Sequence, residues 1–168
     1  MIVVSNASPL IILANISYFH LSQRLFNEIT ISEEVWDEIV VNGAGLPGSA
    51  ETQQAIQSGW IHTARLANSA QFSTWRSQYS LGAGELSTIL LAKEIQADVA
   101  LIDERGARLL AQSEVVPVLG TVGLLELGYR RGEVADLRLA YQTMLAQGAY
   151  INQQILNQSL AGFNLPPV

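Results

Sequence analysis

The sequence has no cysteine, few charged residues and no long apolar run. The missing cysteine excludes disulfides, thiolate nucleophiles and cysteine-ligated zinc. No apolar stretch approaches the ~18 residues that a membrane helix needs. The N-terminus shows no basic segment followed by a hydrophobic stretch, so we expect no signal peptide and a cytoplasmic location.

Charged residues are few, and acidic ones outnumber basic ones. Nine Lys and Arg stand against 15 Asp and Glu, a net charge of −6 that disfavours broad, salt-driven binding to nucleic acid. Any RNA contact is therefore expected to be local. Hydrophobic residues make up 49% and charged residues 14%, whereas about a quarter of an ordinary soluble domain is charged. This apolar excess predicts a homodimer, with candidate interface helices at 18–26 and 124–129.

Short apolar runs alternate with helical patterns along the whole chain. Strands are predicted at 2–4, 28–31, 98–103 and 115–119, with a fifth beginning at 60–61. Ser17 is the expected cap of a second helix, whereas residues from about 66 to 80 are polar and predict no element. The alternation favours one α/β domain over 1–168, with a mostly parallel sheet between two helical layers. Residues 1–134 are its expected core and 135–168 its C-terminal helices.

Polar side chains follow the predicted strands or open the predicted helices. Asn6 follows the first strand, Asp103 and Glu104 follow "VALI", Glu85 lies in the first turn of its helix, and Glu38 lies on the helix after the second strand. In an α/β sheet, ligands collect at the carboxyl ends of the strands. Carboxylates meeting there would suit Mg²⁺, which prefers oxygen ligands and supports phosphodiester hydrolysis.

Structural interpretations of the same residues stay open. Asp103 is equally suited to capping the helix that follows it, and Asn6 to closing an Asx turn. Thr121, in "GTVG" after the last strand, either faces a ligand or caps a helix. Arg105 either contacts phosphate or solvates the surface. "GAG" at 82–84 is a fragment of a phosphate loop without its lysine.

Five segments in order carry a resemblance to a known family. They are "VVSNASPLIILANI", "ISEEVWDEIV", "GAGELSTILLA", "LIDERGARLLA" and "VPVLGTVGLLELGYRRGEV". Together they resemble a family of uncharacterised prokaryotic PIN-domain-like proteins, relatives of toxin–antitoxin ribonucleases. The match runs from about residue 1 to 134, and the remaining tail is similar to the family's closing pair of helices.

The resemblance implies a PIN-like α/β/α fold with a short, twisted sheet and a cluster of acids that binds Mg²⁺ or Mn²⁺ and cleaves RNA. Glu38, Glu85 and Asp103 match the family's acids, with Glu104 as a neighbouring alternative ligand. Asn6 falls where an aspartate commonly closes the first strand. It keeps a carbonyl oxygen for a metal but lacks the charge.

Two hypotheses of function follow. In the first, the protein is a ribonuclease, as in a toxin with an antitoxin partner. Glu38, Glu85 and Asp103 then hold the metal, Asn6 orients a water or the metal, and Thr121 assists with phosphate. In the second, the neutral Asn6 marks a catalytically impaired module that binds RNA or a partner protein.

Overall fold

Five short parallel strands form one sheet. A computed structural model describes residues 1–168 and places the strands in the order β3-β2-β1-β4-β5. The strands are β1 (Val3–Ser5), β2 (Ile29–Ser32), β3 (Ile61–Ala64), β4 (Val99–Leu101) and β5 (Val118–Leu119). Every pairing between neighbours is parallel. The predicted parallel sheet is therefore confirmed.

Ten helices cover the two faces of this sheet. They are α1 (Ala7–Asn15), α2 (Leu21–Phe26), α3 (Glu33–Trp36), α4 (Ser49–Gln57), α5 (Ser69–Gln78), α6 (Ala83–Glu94), α7 (Arg105–Ser113), α8 (Thr121–Arg130), α9 (Leu137–Ala146) and α10 (Gln153–Gly162). Helix α3 continues into a π-helical turn, Asp37–Val41. None of the ten helices combines the length and apolar character that crossing a bilayer requires.

The alternation of side chains along β1 separates two apolar clusters. Val3 packs into the cluster formed with α1, α2, α8, α9 and α10. Val4 points the other way, into the cluster formed with α5, α6 and α7. Both valines are almost fully buried, as expected for a strand covered on both faces. This is the predicted three-layer α/β/α arrangement, and the C-terminal helices share the first cluster.

The helices predicted to form a dimer interface are used inside the protomer instead. Leu21 and Leu25 of α2 and Leu124 and Leu125 of α8 are buried together in the first cluster. These leucines are therefore used for packing within one chain, which removes most of the apolar surface on which the predicted interface location was based. The homodimer itself stays a prediction.

Three local predictions also need correction. Ser17 adopts a left-handed backbone (φ 62°) beyond the end of α1, and α2 begins only at Leu21, so Ser17 is not a helix cap. Residues 69–78 form α5, where no element was predicted. The last strand is shorter than expected because Val115 is also left-handed (φ 60°), which leaves only Val118–Leu119 in the sheet.

Candidate metal centre

The candidate site lies between β1 and β4, where the order of the strands along the sheet changes direction. Strands β1 and β4 are neighbours, with Ser5 beside Leu101, and the Asn6 N–H donates to the Leu101 carbonyl at 3.0 Å. The chain leaves β1 toward one face through α1 and leaves β4 toward the other through α7. This divergence opens a crevice at the carboxyl ends of both strands, the usual ligand position in such sheets.

Asn6 is buried, and its side-chain oxygen has no partner. The residue is 2% exposed and occupies the N-cap position of α1, yet its side chain makes no capping hydrogen bond. Its Oδ1 atom is fully buried without any hydrogen-bond donor. An unsatisfied buried acceptor costs about 1–3 kcal/mol. The side chain is therefore not the turn-closing or capping group of the structural alternative, and its oxygen is free for a ligand.

A carboxylate oxygen converges on the same point from another element. The π-helical turn after α3 carries Glu38, and α6 begins at Ala83 with Gly84 as its second residue. A Cβ atom placed on Gly84 would lie 2.5 Å from Glu38 Oε2 and 3.0 Å from Asn6 Oδ1. The two oxygens are therefore separated by no more than the sum of these distances. Only a glycine at this position leaves room for both.

Glu85 adds a second carboxylate to this group. It lies in the first turn of α6, and its Oε2 atom is folded back over Gly82. Burial of the Glu38 carboxyl raises its pKa, and the nearby negative charge of Glu85 raises that pKa further. Although Glu38 as a residue is exposed, its carboxyl end is the part that lies against Gly84. The structure thus brings together Asn6, Glu38 and Glu85, which we call the Asn6–Glu38–Glu85 group.

The raised pKa of Glu38 predicts a stability that depends on pH. The folded protein retains the Glu38 proton to a higher pH than the unfolded chain. The contribution of Glu38 to the free energy of unfolding therefore falls as the pH rises from its ordinary pKa of 4.5 through its raised pKa in the folded protein. Glu38→Gln, which mimics the protonated form, should melt a few degrees above the wild type at pH 7 in chelator and at the same temperature near pH 4.

Thermal melts across this pH range, with Asp37→Asn as the control, check the prediction. Asp37 is an exposed acid on the same π-helical turn, so its neutralisation tests for a general effect of charge. A difference between the Glu38 variant and wild type that stays constant with pH would show that Glu38 does not titrate differently on folding.

Asp103 is held rigidly by the start of α8. Its Oδ1 accepts a hydrogen bond from the Thr121 N–H, and its Oδ2 accepts one from the Thr121 hydroxyl, both at 2.7 Å. Thr121 is fully buried, so it orients Asp103; the sequence left open whether it faces a ligand or caps a helix. The Ser8 hydroxyl lies 3.5 Å from Asp103 Oδ2. Each carboxylate oxygen keeps a further lone pair for another ligand.

Glu104 and Arg105 begin α7. Glu104 is the N-cap, and its carboxylate accepts a hydrogen bond from the Ala107 N–H at 2.6 Å. The residue that caps the following helix is therefore Glu104 and not Asp103. Arg105 is exposed and forms neither a hydrogen bond nor an ion pair. The side chain of Arg108 donates to the Ile102 carbonyl at 2.9 Å.

The acids do not form a single cluster, and Glu38 lies outside the cavity that the others line. No three acidic or histidine side chains surround one point closely enough to form a complete metal site. Glu85, Asp103, Glu104 and Arg105 line the same cavity of about 750 Å³. Of the predicted site residues, Asn6, Glu38 and Glu85 come together. Asp103 lines the cavity and is held by Thr121, which is itself buried and does not line it.

Gly84 is the residue of this site that sequence reasoning missed. By sequence, "GAG" resembles an incomplete phosphate loop, but its second glycine instead makes space for two converging oxygens. Its carbonyl is also occupied, because the hydroxyls of Ser87 and Thr88 donate to it at 3.1 and 2.7 Å. The available signal was a glycine inside the first turn of a good helix, where alanine is usually preferred.

Oxygen ligands at the crevice of a parallel α/β sheet suit a hard divalent cation. The chain matches a family model for the PIN domain over residues 2–164 and belongs to that family. The predicted resemblance and the PIN-like fold are thereby confirmed. PIN domains generally use divalent metals and interact with RNA. No curated protein matches the chain.

Proposed function

We propose that this protein is a ribonuclease that depends on Mg²⁺ or Mn²⁺, with Glu38, Glu85 and Asp103 as its catalytic acids. The observation that carries the proposal is the unpartnered oxygen of Asn6. It is buried beside the Glu38 carboxylate over Gly84. A buried polar atom with a purely structural role normally has a hydrogen-bond partner.

The chemistry of the donor atoms fits a hard divalent cation. The Asn6–Glu38–Glu85 group offers one amide oxygen and two carboxylates, and no nitrogen or sulfur ligand lies among them. Mg²⁺ usually keeps several waters and takes only one or two carboxylates from protein. Asn6, Glu38 and Glu85 would hold the ion, Asp103 would complete the site, and Glu104 serves α7 as its cap.

Each residue then has a distinct role in cleavage. When bound, the ion supplies a water of lowered pKa and neutralises charge on the phosphate. Glu38 Oε2 and Asn6 Oδ1, which converge over Gly84, would hold the ion and so orient that water. Thr121 keeps Asp103 in one orientation through two hydrogen bonds. Arg105, which has no partner in the protein, is available to bind a phosphate of the RNA.

The family relationship supports a proposal for the wider biological role. We propose that the protein acts as the toxin of a toxin–antitoxin pair in the cytoplasm, with an antitoxin protein as its partner and a homodimer as its assembly. The net charge of −6 supports an RNA contact confined to the cavity.

Cleavage of a labelled single-stranded RNA tests the proposal. Activity should require Mg²⁺ or Mn²⁺ and should fall at least about 100-fold in Glu85→Gln, as expected when a metal-ligating group is lost. Glu28→Gln is the matched control, because Glu28 is an exposed carboxylate beside His62 at the opposite end of β2. Cleavage that persists in chelator, or that survives unchanged in Glu85→Gln, would contradict the assignment.

The neutral side chain of Asn6 favours a second function. A PIN-like module that lacks one carboxylate charge could bind RNA or a partner protein without cleaving it. In that case Mn²⁺ would still raise the melting temperature through binding to the folded state, but the RNA would remain intact. The cleavage assay therefore separates the two functions, and the melt in Mn²⁺ shows whether the non-cleaving protein still binds metal.

A further inference from the structure

The cavity beside the candidate metal centre has a second, apolar wall. Its volume is about 750 Å³, within the roughly 300–1,000 Å³ typical of ligand pockets. One side carries Glu85, Asp103 and Arg105. The rest of the lining includes five aliphatic residues together with the acid Glu126; the five are Ile12, Leu119, Val122, Ile151 and Ile155. A metal ion and a phosphate alone would leave this apolar wall without a partner.

Tyr150 stands at the rim of this wall with its side chain in solvent. It is 106% exposed and lies in the turn between α9 and α10. The backbone around it is fixed, because the Ile151 N–H donates to the Ala149 carbonyl at 3.0 Å and Asn152 caps α10. Its ring contacts no other aromatic ring. The fold therefore holds an unpacked aromatic side chain beside an apolar cavity.

Arg105 provides the only positive charge of the cavity that has no partner. Arg108, the other cation on the lining, is tied to the Ile102 carbonyl. Arginines elsewhere, such as Arg24 and Arg65, pair with glutamates. A guanidinium left free next to acids is suited to a ligand that brings its own negative charge, since its planar donors match phosphate oxygens.

We infer that Tyr150 is a base-stacking residue for one nucleotide of the RNA that enters this cavity. Arg105 contacts its phosphate, and Tyr150 stacks on its base against the apolar wall formed with Ile151 and Ile155. The inference deepens the proposed function, on which it rests for the position of the reacting phosphate. A base can reach Tyr150 only when it is splayed out of a helix, so duplex RNA is excluded. Stacking accepts every base, so recognition here is independent of base identity.

Fluorescence anisotropy with a 2′-O-methyl RNA ten-mer, checked to be intact after each titration, tests this inference by binding alone. Binding is measured in Mn²⁺ and in chelator, for the single strand and for the same strand in a duplex. Tyr150→Ala should weaken binding of the single strand about 5- to 100-fold, whereas Tyr150→Phe should retain it. Arg105→Ala should reduce the slope of log Kd against log salt by about 0.7, the value for one lost phosphate contact on a single strand.

Arg76→Ala is the matched control for charge. Arg76 is exposed on α5, forms no ion pair and lies outside the cavity. Equal affinity of wild type and Tyr150→Ala in both buffers would overturn the inference, as would equal binding of single strand and duplex. The failure of the proposed function looks different: Tyr150-dependent binding persists, but no RNA is cleaved in any metal. Cleavage without Tyr150-dependent binding overturns the nucleotide site alone.

Discussion

Replacing Gly84 by alanine should abolish metal binding and leave the fold intact. The new Cβ would lie 2.5 Å from Glu38 Oε2 and 3.0 Å from Asn6 Oδ1, where an ion would share both oxygens. Because Oε2 is the end of a flexible side chain, the carboxylate is expected to swing away and the backbone to stay. Alanine within a helix is also favoured over glycine by about 0.5–1 kcal/mol, which offsets part of the disturbance.

The expected size of the effect follows from mass action. Metal at about 100 times its Kd stabilises a folded protein by about 2.7 kcal/mol. For a domain of this length, that corresponds to roughly 5–10 °C in melting temperature. The wild type should show such a shift in Mn²⁺ and Gly84→Ala almost none, with cleavage of RNA at least about 100-fold lower.

Gly162→Ala is the matched control for this substitution. Gly162 is the last residue of α10, and a Cβ there would meet nothing within 4 Å. The control should therefore keep the full metal-induced shift. A Gly84→Ala protein that melts like wild type in chelator and gains the same stability from Mn²⁺ would show that the Glu38 and Asn6 oxygens do not bind the ion.

Most of the fold was predictable because the spacing of apolar residues along the chain matches the strand or helix that they form. Val3 and Val4 lie between two layers of helices and needed no polar alternation, so a short apolar run was sufficient to identify β1. Helix α5 carried no such signal. It buries only Trp75 and is otherwise polar or partly exposed, so its hydrophobic pattern is too weak to distinguish a helix from a loop.

The candidate site was predictable in its residue types but not in its contacts. Strand ends identified Asn6 and Asp103, because chain position fixes which residues follow a strand. Which donors each side chain meets depends on elements far apart in sequence. Thr121 holds Asp103 from 18 residues away, and Gly84 makes room for Glu38 across two elements. Neither relationship leaves a trace in local spacing.

Replacing Asn6 by aspartate should destabilise the protein without metal and stabilise it with metal. Asn6 Oδ1 is buried, has no donor and lies beside the Glu38 carboxylate. A charge placed there is desolvated and repelled by the Glu38 and Glu85 carboxylates, which should cost about 1–3 kcal/mol in chelator at neutral pH. The pKa of Glu38, already raised by burial and Glu85, should rise further. The loss of stability should therefore shrink as the pH is lowered and the acids take up protons.

In Mn²⁺ the Asn6→Asp variant should melt above the wild type, because the ion gains a charged ligand in place of a neutral amide oxygen. Its RNA cleavage should increase as well. Melts of each protein in chelator and in Mn²⁺ make the comparison.

Asn68→Asp is the control: Asn68 caps α5 by accepting from the Gln71 N–H at 2.9 Å, a bond that aspartate preserves. That variant should respond to metal as wild type does. Equal metal-induced shifts for wild type and Asn6→Asp would mean that the side chain at position 6 does not contact the ion, and the site would then have to be built from Glu85 and Asp103 on the cavity wall.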